Sequence, residues 1–252
     1  MAAPVIMIHG AFCGGWTFDA FRRPFEAAGR KVLTPDLRGH GAGEGLQAVV
    51  GLSMLDYAHD IADLAAGQDE PPVLVGHSMG GLVAMLAARR TPVAGLVLLA
   101  PSPPWGVAGW SVEEGVTAFG LHLLGPFWAQ AVTPDRGIML RYSLDRVPPG
   151  ARRPILEQLS AESGRALWET LNWWLDPMMT TSLGAGPPAA PALLLVGEKD
   201  VVHPPATARL TAERVGAEHR ILPGMSHWLP GEPGWEDVAG QSLAWLETSQ
   251  AA

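Results

Sequence analysis

The sequence predicts an α/β fold: about six mostly parallel strands, helices on both faces of the sheet, and a helical cap insertion. Short, continuously apolar runs bounded by Gly, Pro or Asp alternate with segments of helix length. That pattern is typical of parallel strands buried on both faces and joined by right-handed crossover helices. The alternation stops after Pro101 and resumes only after Pro191, which predicts the insertion.

Six apolar runs are predicted as strands because each is short and ends at a turn-forming residue. In chain order they cover residues 5–8, 31–34, 73–75, 95–99, 193–196 and 218–222. Helices are predicted over the helix-length segments 18–28, 55–66 and 80–90, which lie between the first four strands. A core of residues 1–101 and 190–252 is therefore expected.

Residues 102–189 are predicted to form the helical cap, because they contain helix signals and no convincing strand. Ser111 with Glu114 is a capping-box pattern that starts a helix. Six of the ten tryptophans fall in this segment. They either only pack the cap onto the core or also line an apolar pocket. The predicted pocket residues are Phe12, Trp105, Trp128, Trp174 and Trp228.

Composition excludes several classes of partner. Seventeen basic against twenty-five acidic residues give a net charge of −8, which argues against nucleic acid because phosphate backbones need clustered Lys and Arg. Cys13 is the only cysteine, so neither an intramolecular disulfide nor a thiolate zinc cluster can form. The first apolar run is too short for a signal peptide or a membrane span. We expect a cytoplasmic protein, while the oligomeric state is left open.

The strongest chemical signal is a G-x-S-x-G motif formed by Gly76, Ser78 and Gly80. It lies directly between a predicted strand and a predicted helix. Such a turn needs small residues, lifts the serine to its tip and aims the hydroxyl at a helix N-terminus. Free N–H groups and the positive end of the helix dipole favour a developing anion there. Ser78 is therefore the predicted nucleophile.

A serine hydroxyl needs a base, and the base needs an acid that fixes its tautomer. His227 follows the last predicted strand, and Asp200 follows the strand before it. Both loops can reach the same sheet end as Ser78. The alternative base is His122 in the cap, and the alternative acid is Glu198. The chain order serine, aspartate, histidine differs from that of chymotrypsin or subtilisin.

The loop after the first strand, residues 9–16, is the fourth part of the predicted site. It can supply one backbone N–H to an oxyanion hole, and the residue after the nucleophile, Met79, supplies the other. Ala11 is the favoured donor in the loop and Phe12 the alternative. Cys13 lies in the same loop without a basic neighbour in sequence, so it is expected to be a packing residue.

Together these segments resemble the α/β-hydrolase superfamily, and they look like small esterases within it. The resemblance covers about residues 4–101 and 191–250. The segments are similar to plant methylesterases, bacterial esterases and cofactor-free haloperoxidase-like enzymes. The resemblance implies the α/β-hydrolase fold with a helical cap, and Ser78, Asp200 and His227 as a catalytic triad. Ser78 argues against the superfamily members that use an aspartate nucleophile.

The expected function is that of a serine hydrolase that cleaves carboxylic esters of small to medium apolar substrates through an acyl-enzyme. The expected partner is a small-molecule ester, and no metal or organic cofactor is required. The same triad could instead serve an acyltransferase, a lactonase, a thioesterase or a C–C hydrolase. A hydrolase-fold protein that binds a small molecule without catalysis is the alternative of a different class.

Overall fold

The computed structural model of the protein describes residues 2–108, 120 and 125–249. The strands within these residues are β1 (Val5–Ile8), β2 (Val32–Leu33), β3 (Val73–His77), β4 (Gly95–Leu99), β5 (Ala131–Val132), β6 (Glu162–Ser163), β7 (Ala192–Gly197) and β8 (Glu218–Leu222). Six of them pair in parallel in the order β2-β1-β3-β4-β7-β8. The predicted six-stranded α/β sheet is confirmed, with each strand at its predicted position.

The helices of the described residues are α1 (Arg23–Ala27), α2 (Met54–Ala66), α3 (Met79–Ala87), α4 (Arg136–Ile138), α5 (Pro149–Gln158), α6 (Gly164–Leu171), α7 (Pro205–Val215) and α8 (Trp235–Ser249). Single 3₁₀ turns occur at Gly15–Phe18, Leu46–Val49, Phe127–Ala129 and Trp173–Leu175, and a π-helical turn at Met139–Ser143. The helix predicted over 18–28 is shorter than expected. It starts at Arg23 because Pro24 suits the first turn, where no intrahelical N–H is needed.

The central strands are buried on both faces, as their unbroken apolar sequences predict. Alternate residues of β1 and β3 face opposite sides: Ile6 and Leu74 join the core under α2, α3 and α7, whereas Val5 and Val73 join the core under α1 and α8. The parallel register pairs Ile8 with Gly76. The carboxyl ends of the strands therefore meet at one edge of the sheet, where the loops that follow them lie close together.

In the segment between β4 and β7, called the insertion below, most of the regular secondary structure that is described is helical. The insertion also contains the antiparallel pair β5–β6, in which Val132 lies opposite Glu162. The expectation that this segment has no strand was wrong, because two-residue strands carry no periodic pattern. The predicted capping box of Ser111 and Glu114 lies outside the described residues.

A buried carboxylate of α6 holds the insertion on the core. Glu169 accepts hydrogen bonds from the Ser53 hydroxyl and from the Met54 backbone N–H, both at 2.8 Å. Met54 begins α2, so the carboxylate satisfies an N–H group at the positive end of that helix. Arg165, one turn before Glu169, pairs with its other oxygen at 2.9 Å.

Candidate active site

The G-x-S-x-G motif forms a strained turn between β3 and α3. Ser78 has φ 53° and ψ −123°, a backbone conformation that is unfavourable for any residue except glycine. A Cβ added at Gly76 would clash with the Gly80 carbonyl, and one at Gly80 would clash with the Ile8 carbonyl. The two glycines therefore let β3, α3 and β1 approach closely enough to present Ser78 at the sheet edge.

The structure brings Ser78, His227 and Asp200 into one chain of hydrogen bonds. The Ser78 hydroxyl donates to His227 Nε2 across 3.1 Å, and His227 Nδ1 donates to Asp200 Oδ2 across 2.9 Å. The other carboxylate oxygen, Oδ1, accepts the N–H groups of Val202 and His203 at 2.8 and 2.9 Å. This chain orients the imidazole with its lone pair toward the serine oxygen, as a general base requires.

The electrostatics of Asp200 favour its charged form. Burial of its carboxyl opposes ionisation, but the adjacent His227 and the hydrogen bonds that the carboxylate accepts outweigh burial and lower the pKa of Asp200.

The alternative acid, Glu198, is half exposed, accepts the Gly224 N–H and pairs with Lys199 at 3.5 Å. The alternative base, His122, lies outside the described residues.

His77, next to Ser78 in sequence, holds the backbone of His227 in place. Its Nε2 donates to the backbone carbonyl of His227 across 2.9 Å, and its ring lies 5.1 Å from that of His227, centroid to centroid. Burial, reinforced by His227, lowers the pKa of His77 to about 3. A neutral His77 therefore fixes the backbone of His227 without adding a charge beside its ring.

Two residues that line the cavity beside Ser78 have backbone N–H groups without an acceptor in the described part of the chain. They are Ala11 and Met79, the two donors favoured from the sequence. The alternative donor, Phe12, is engaged elsewhere: its N–H points to Glu162 Oε2 at 3.4 Å. Phe12 also has a left-handed φ of 66°, an uncommon backbone conformation for a residue other than glycine.

Glu162, which the sequence analysis missed, is a buried carboxylate at the back of this loop. Besides Phe12, it accepts the Tyr57 hydroxyl at 2.7 Å, His40 Nε2 at 3.1 Å and the Ser163 N–H at 2.7 Å. Burial opposes ionisation of both Glu162 and His40. Their contact with each other nevertheless lowers the pKa of Glu162 and raises that of His40. Nothing local in the sequence marks this residue, since its partners come from distant segments.

Glu162→Ala should destabilise the fold strongly. Removing one partner of a buried, hydrogen-bonded charge pair costs about 3–5 kcal/mol, because His40 and Tyr57 lose their acceptor. The free energy of unfolding in urea measures the loss. Glu157→Ala is the matched control, since Glu157 lies in the same insertion but forms an exposed pair with Arg153. Equal stabilities of the two variants would contradict a clamping role for Glu162.

An apolar cavity of about 150 Å³ opens onto Ser78. Phe12 and Trp228, two of the five expected pocket residues, line it. The insertion contributes mostly apolar side chains to the opposite wall, among them Ile138, Met139, Leu167 and Leu171. The described lining contains no Lys, Arg, Asp or Glu, so it suits an uncharged ligand.

The other three predicted pocket residues, Trp105, Trp128 and Trp174, do not line this cavity. Trp105 packs edge-on against Trp173, with ring centroids 5.6 Å apart. Trp128 and Trp174 are 45% and 62% exposed, because each belongs to a 3₁₀ turn that directs its side chain outward. The prediction for these three residues was wrong in the described structure.

Cys13 is a packing residue. It is buried against Leu144 and Trp228, and burial raises the pKa of its thiol to about 12. The thiolate, which is the nucleophilic form, is therefore not populated near neutral pH.

Glu232 lies buried beneath the loop that carries His227. One carboxyl oxygen accepts the Ser226 N–H at 2.6 Å, and the other has no partner among the described residues. Burial raises the pKa of Glu232 to about 7, with a further contribution from Asp145 and Asp200. This carboxyl therefore binds its proton more tightly in the folded protein than in the unfolded chain.

The Glu232→Gln variant should gain stability over the wild type as the pH rises. The folded-state pKa of about 7 exceeds the ordinary value of 4.5, so the stabilisation present below 4.5 is lost as the pH rises through 7. Gln stays neutral, and the difference should reach about 1–3 kcal/mol by pH 8. Urea unfolding from pH 5 to 8 measures it, with the exposed Glu236→Gln as control. A pH-independent difference would contradict the assignment.

Neither a membrane span nor a metal cluster is found in the part of the chain that the structure describes. Its helices lack the combined length and apolar character that crossing a bilayer requires. Its His, Cys, Asp and Glu side chains form no group of three or more suited to hold a metal ion.

Comparisons with known proteins identify the family. The sequence model of the alpha/beta hydrolase family matches residues 5–241. A pyrethroid hydrolase from Sphingobium wenxiniae is 32% identical over 222 residues, which cover 81% of this chain and 74% of that protein.

Solved structures agree with that match. A thermophilic esterase from Thermogutta terrifontis superposes with a TM-score of 0.71 at 25% identity, covering 99% of this chain and 91% of that one. A methylesterase from Arabidopsis superposes with a TM-score of 0.74 at 18% identity, covering 98% and 100%. The chain belongs to the α/β-hydrolase family.

Proposed function

We propose that this protein is a carboxylesterase that hydrolyses esters of small to medium apolar substrates through a Ser78–His227–Asp200 triad. The observation that carries the proposal is the 3.1 Å contact between Ser78 Oγ and His227 Nε2 at the end of an apolar cavity. Relatives named as esterases and hydrolases support the same reaction class.

In the first half of the reaction, Ser78 Oγ attacks the ester carbonyl while His227 Nε2 takes its proton. Asp200, held ionised, stabilises the imidazolium that forms. The carbonyl oxygen becomes an oxyanion and accepts hydrogen bonds from the Ala11 and Met79 N–H groups, at the positive end of α3. Each such donor typically contributes about 3 kcal/mol to transition-state stabilisation.

In the second half, the tetrahedral intermediate collapses and the acyl group stays on Ser78. His227 gives its proton to the leaving alcohol oxygen, and then deprotonates a water molecule that attacks the acyl-enzyme. The acid leaves and Ser78 recovers its proton from His227. This sequence needs no metal and no organic cofactor.

We also propose that residues 102–189 act as a cap on a core of residues 1–101 and 190–252. The support is that Ile138, Met139, Leu167 and Leu171 from this segment line the cavity opposite the core. An apolar wall of this kind stabilises an apolar acyl or alcohol group by burying it. It also disfavours charged substrates, which would lose water without gaining a partner.

The test is hydrolysis of a p-nitrophenyl ester series, from acetate to dodecanoate, by the wild-type protein. We expect turnover with the highest kcat/KM at short to medium chains, because the cavity is about 150 Å³. The lack of turnover by well-folded protein across the series, combined with tight binding of an uncharged ligand, would overturn the proposal and favour the small-molecule binder.

A further inference from the structure

The cavity contains a second serine–histidine pair that the proposed mechanism does not use. Ser102 Oγ and His203 Nε2 lie 3.0 Å apart and share a hydrogen bond. Ser102 follows β4, and His203 lies in the loop after β7. Both side chains are buried, yet both line the cavity.

This pair is adjacent to the triad through three contacts. The Ser102 N–H donates to the Ser78 carbonyl at 2.9 Å, and the His203 N–H donates to Asp200 Oδ1 at 2.9 Å. The His203 ring packs edge-on against that of His227, with centroids 5.3 Å apart. The leaving alcohol oxygen lies against His227 Nε2, because that atom protonates it. The pair therefore lies beside His227, the residue that protonates the leaving alcohol.

The Ser102 hydroxyl has hydrogen-bonding capacity left for a ligand. A hydroxyl offers one donor and two acceptor positions, and within the described residues its recorded partner is His203 alone. Thr170, another hydroxyl in the lining, differs because its proton is committed to the Ala166 carbonyl of its own helix at 2.8 Å. Ser102 Oγ can instead accept from His203 Nε2, which leaves its own proton for a ligand. In an apolar pocket, the few polar groups with open positions fix the orientation of the ligand.

On the basis of the proposed esterase activity, we propose that the Ser102–His203 pair binds a second hydroxyl of the leaving alcohol. The substrates it favours are monoesters of diols or polyols, with an apolar acyl chain and a free hydroxyl on the carbon beside the ester-bearing carbon. That hydroxyl reaches Ser102 Oγ while the ester oxygen stays at His227. The pair contributes to the choice of substrate, and it takes no proton from the reacting atoms.

The test compares ethylene glycol monobutyrate with n-propyl butyrate, which differ only in a hydroxyl in place of a methyl group. The wild type should prefer the glycol ester in kcat/KM. Ser102→Ala should lower that preference about tenfold, the value of one hydrogen bond to a buried group. Thr170→Val is the matched control and should keep the wild-type ratio, because it removes a hydroxyl already bonded within α6.

A second measurement needs no variant. The acyl-enzyme can also be attacked by an added alcohol, which occupies the same alcohol side. Ethylene glycol should therefore capture the butyryl group from p-nitrophenyl butyrate more effectively than propanol at equal concentration. Equal capture, or equal ester ratios in wild type and Ser102→Ala, would overturn the diol proposal while leaving the esterase standing. No hydrolysis of any of these esters would overturn both.

Discussion

Ser78→Ala should lower kcat on p-nitrophenyl butyrate by about a millionfold. Loss of a serine nucleophile removes the covalent pathway, and only the oxyanion donors and substrate binding remain to assist water. The fold should persist, because within the described residues the Ser78 side chain makes one hydrogen bond, to His227. Stopped-time product assays at high enzyme concentration measure the residual rate, and thermal unfolding checks the fold.

Two companion variants sharpen this experiment. Ser78→Gly should be just as inactive yet more stable than Ser78→Ala by about 1 kcal/mol, because glycine relieves the strain of the positive φ. Ser102→Ala, a serine in the same cavity, should lose no more than about tenfold, the effect of one hydrogen bond. Residual activity of Ser78→Ala within a hundredfold of the wild type, or a collapse in Ser102→Ala alone, would refute Ser78 as nucleophile.

The part of the site that could be predicted from the sequence depends on local turns at strand ends. Ser78 and Asp200 each follow a buried strand, and His227 follows the partly exposed edge strand β8. Parallel strands place their carboxyl ends at one sheet edge, so three loops far apart in sequence had to converge. The positions of Ala11 and Met79, the proposed oxyanion donors, follow from the same argument, because they lie just after the ends of β1 and β3.

The parts that could not be predicted depend on packing between segments without periodic patterns. Trp105, Trp128 and Trp174 were expected in the cavity, but side-chain direction in irregular turns is set by tertiary contacts. The hydrogen bond between His40 and Glu162 joins residues 122 positions apart, and that between Ser102 and His203 joins residues 101 apart. No spacing rule relates such residues, so a sequence shows them only as isolated polar side chains.

Asp200→Asn should lower kcat/KM by about ten-thousandfold while the protein stays folded, as expected for a triad acid. The oxygen of the introduced amide can still accept the N–H groups of Val202 and His203, which now bond to Asp200 Oδ1. The NH₂ group of that amide then faces His227 Nδ1 and forces this nitrogen to accept. The proton moves to Nε2, so the imidazole donates toward Ser78 and cannot take its proton.

The control for this variant is Glu198→Gln, which changes the alternative acid two residues earlier. Glu198 is half exposed and contacts Lys199 and the Gly224 N–H rather than His227. The Glu198→Gln change should therefore alter kcat/KM by no more than about fivefold, which corresponds to the limit of about 1 kcal/mol for an exposed ion pair. The kcat/KM of both variants on p-nitrophenyl butyrate, measured from pH 6 to 9, decides between the two acids. A change of pH does not move the proton of neutral His227 back from Nε2 to Nδ1 while the amide faces Nδ1. The loss of kcat/KM in Asp200→Asn should therefore persist across that range. Recovery of Asp200→Asn near pH 9, or a larger loss in Glu198→Gln, would mean that Asp200 does not orient the base.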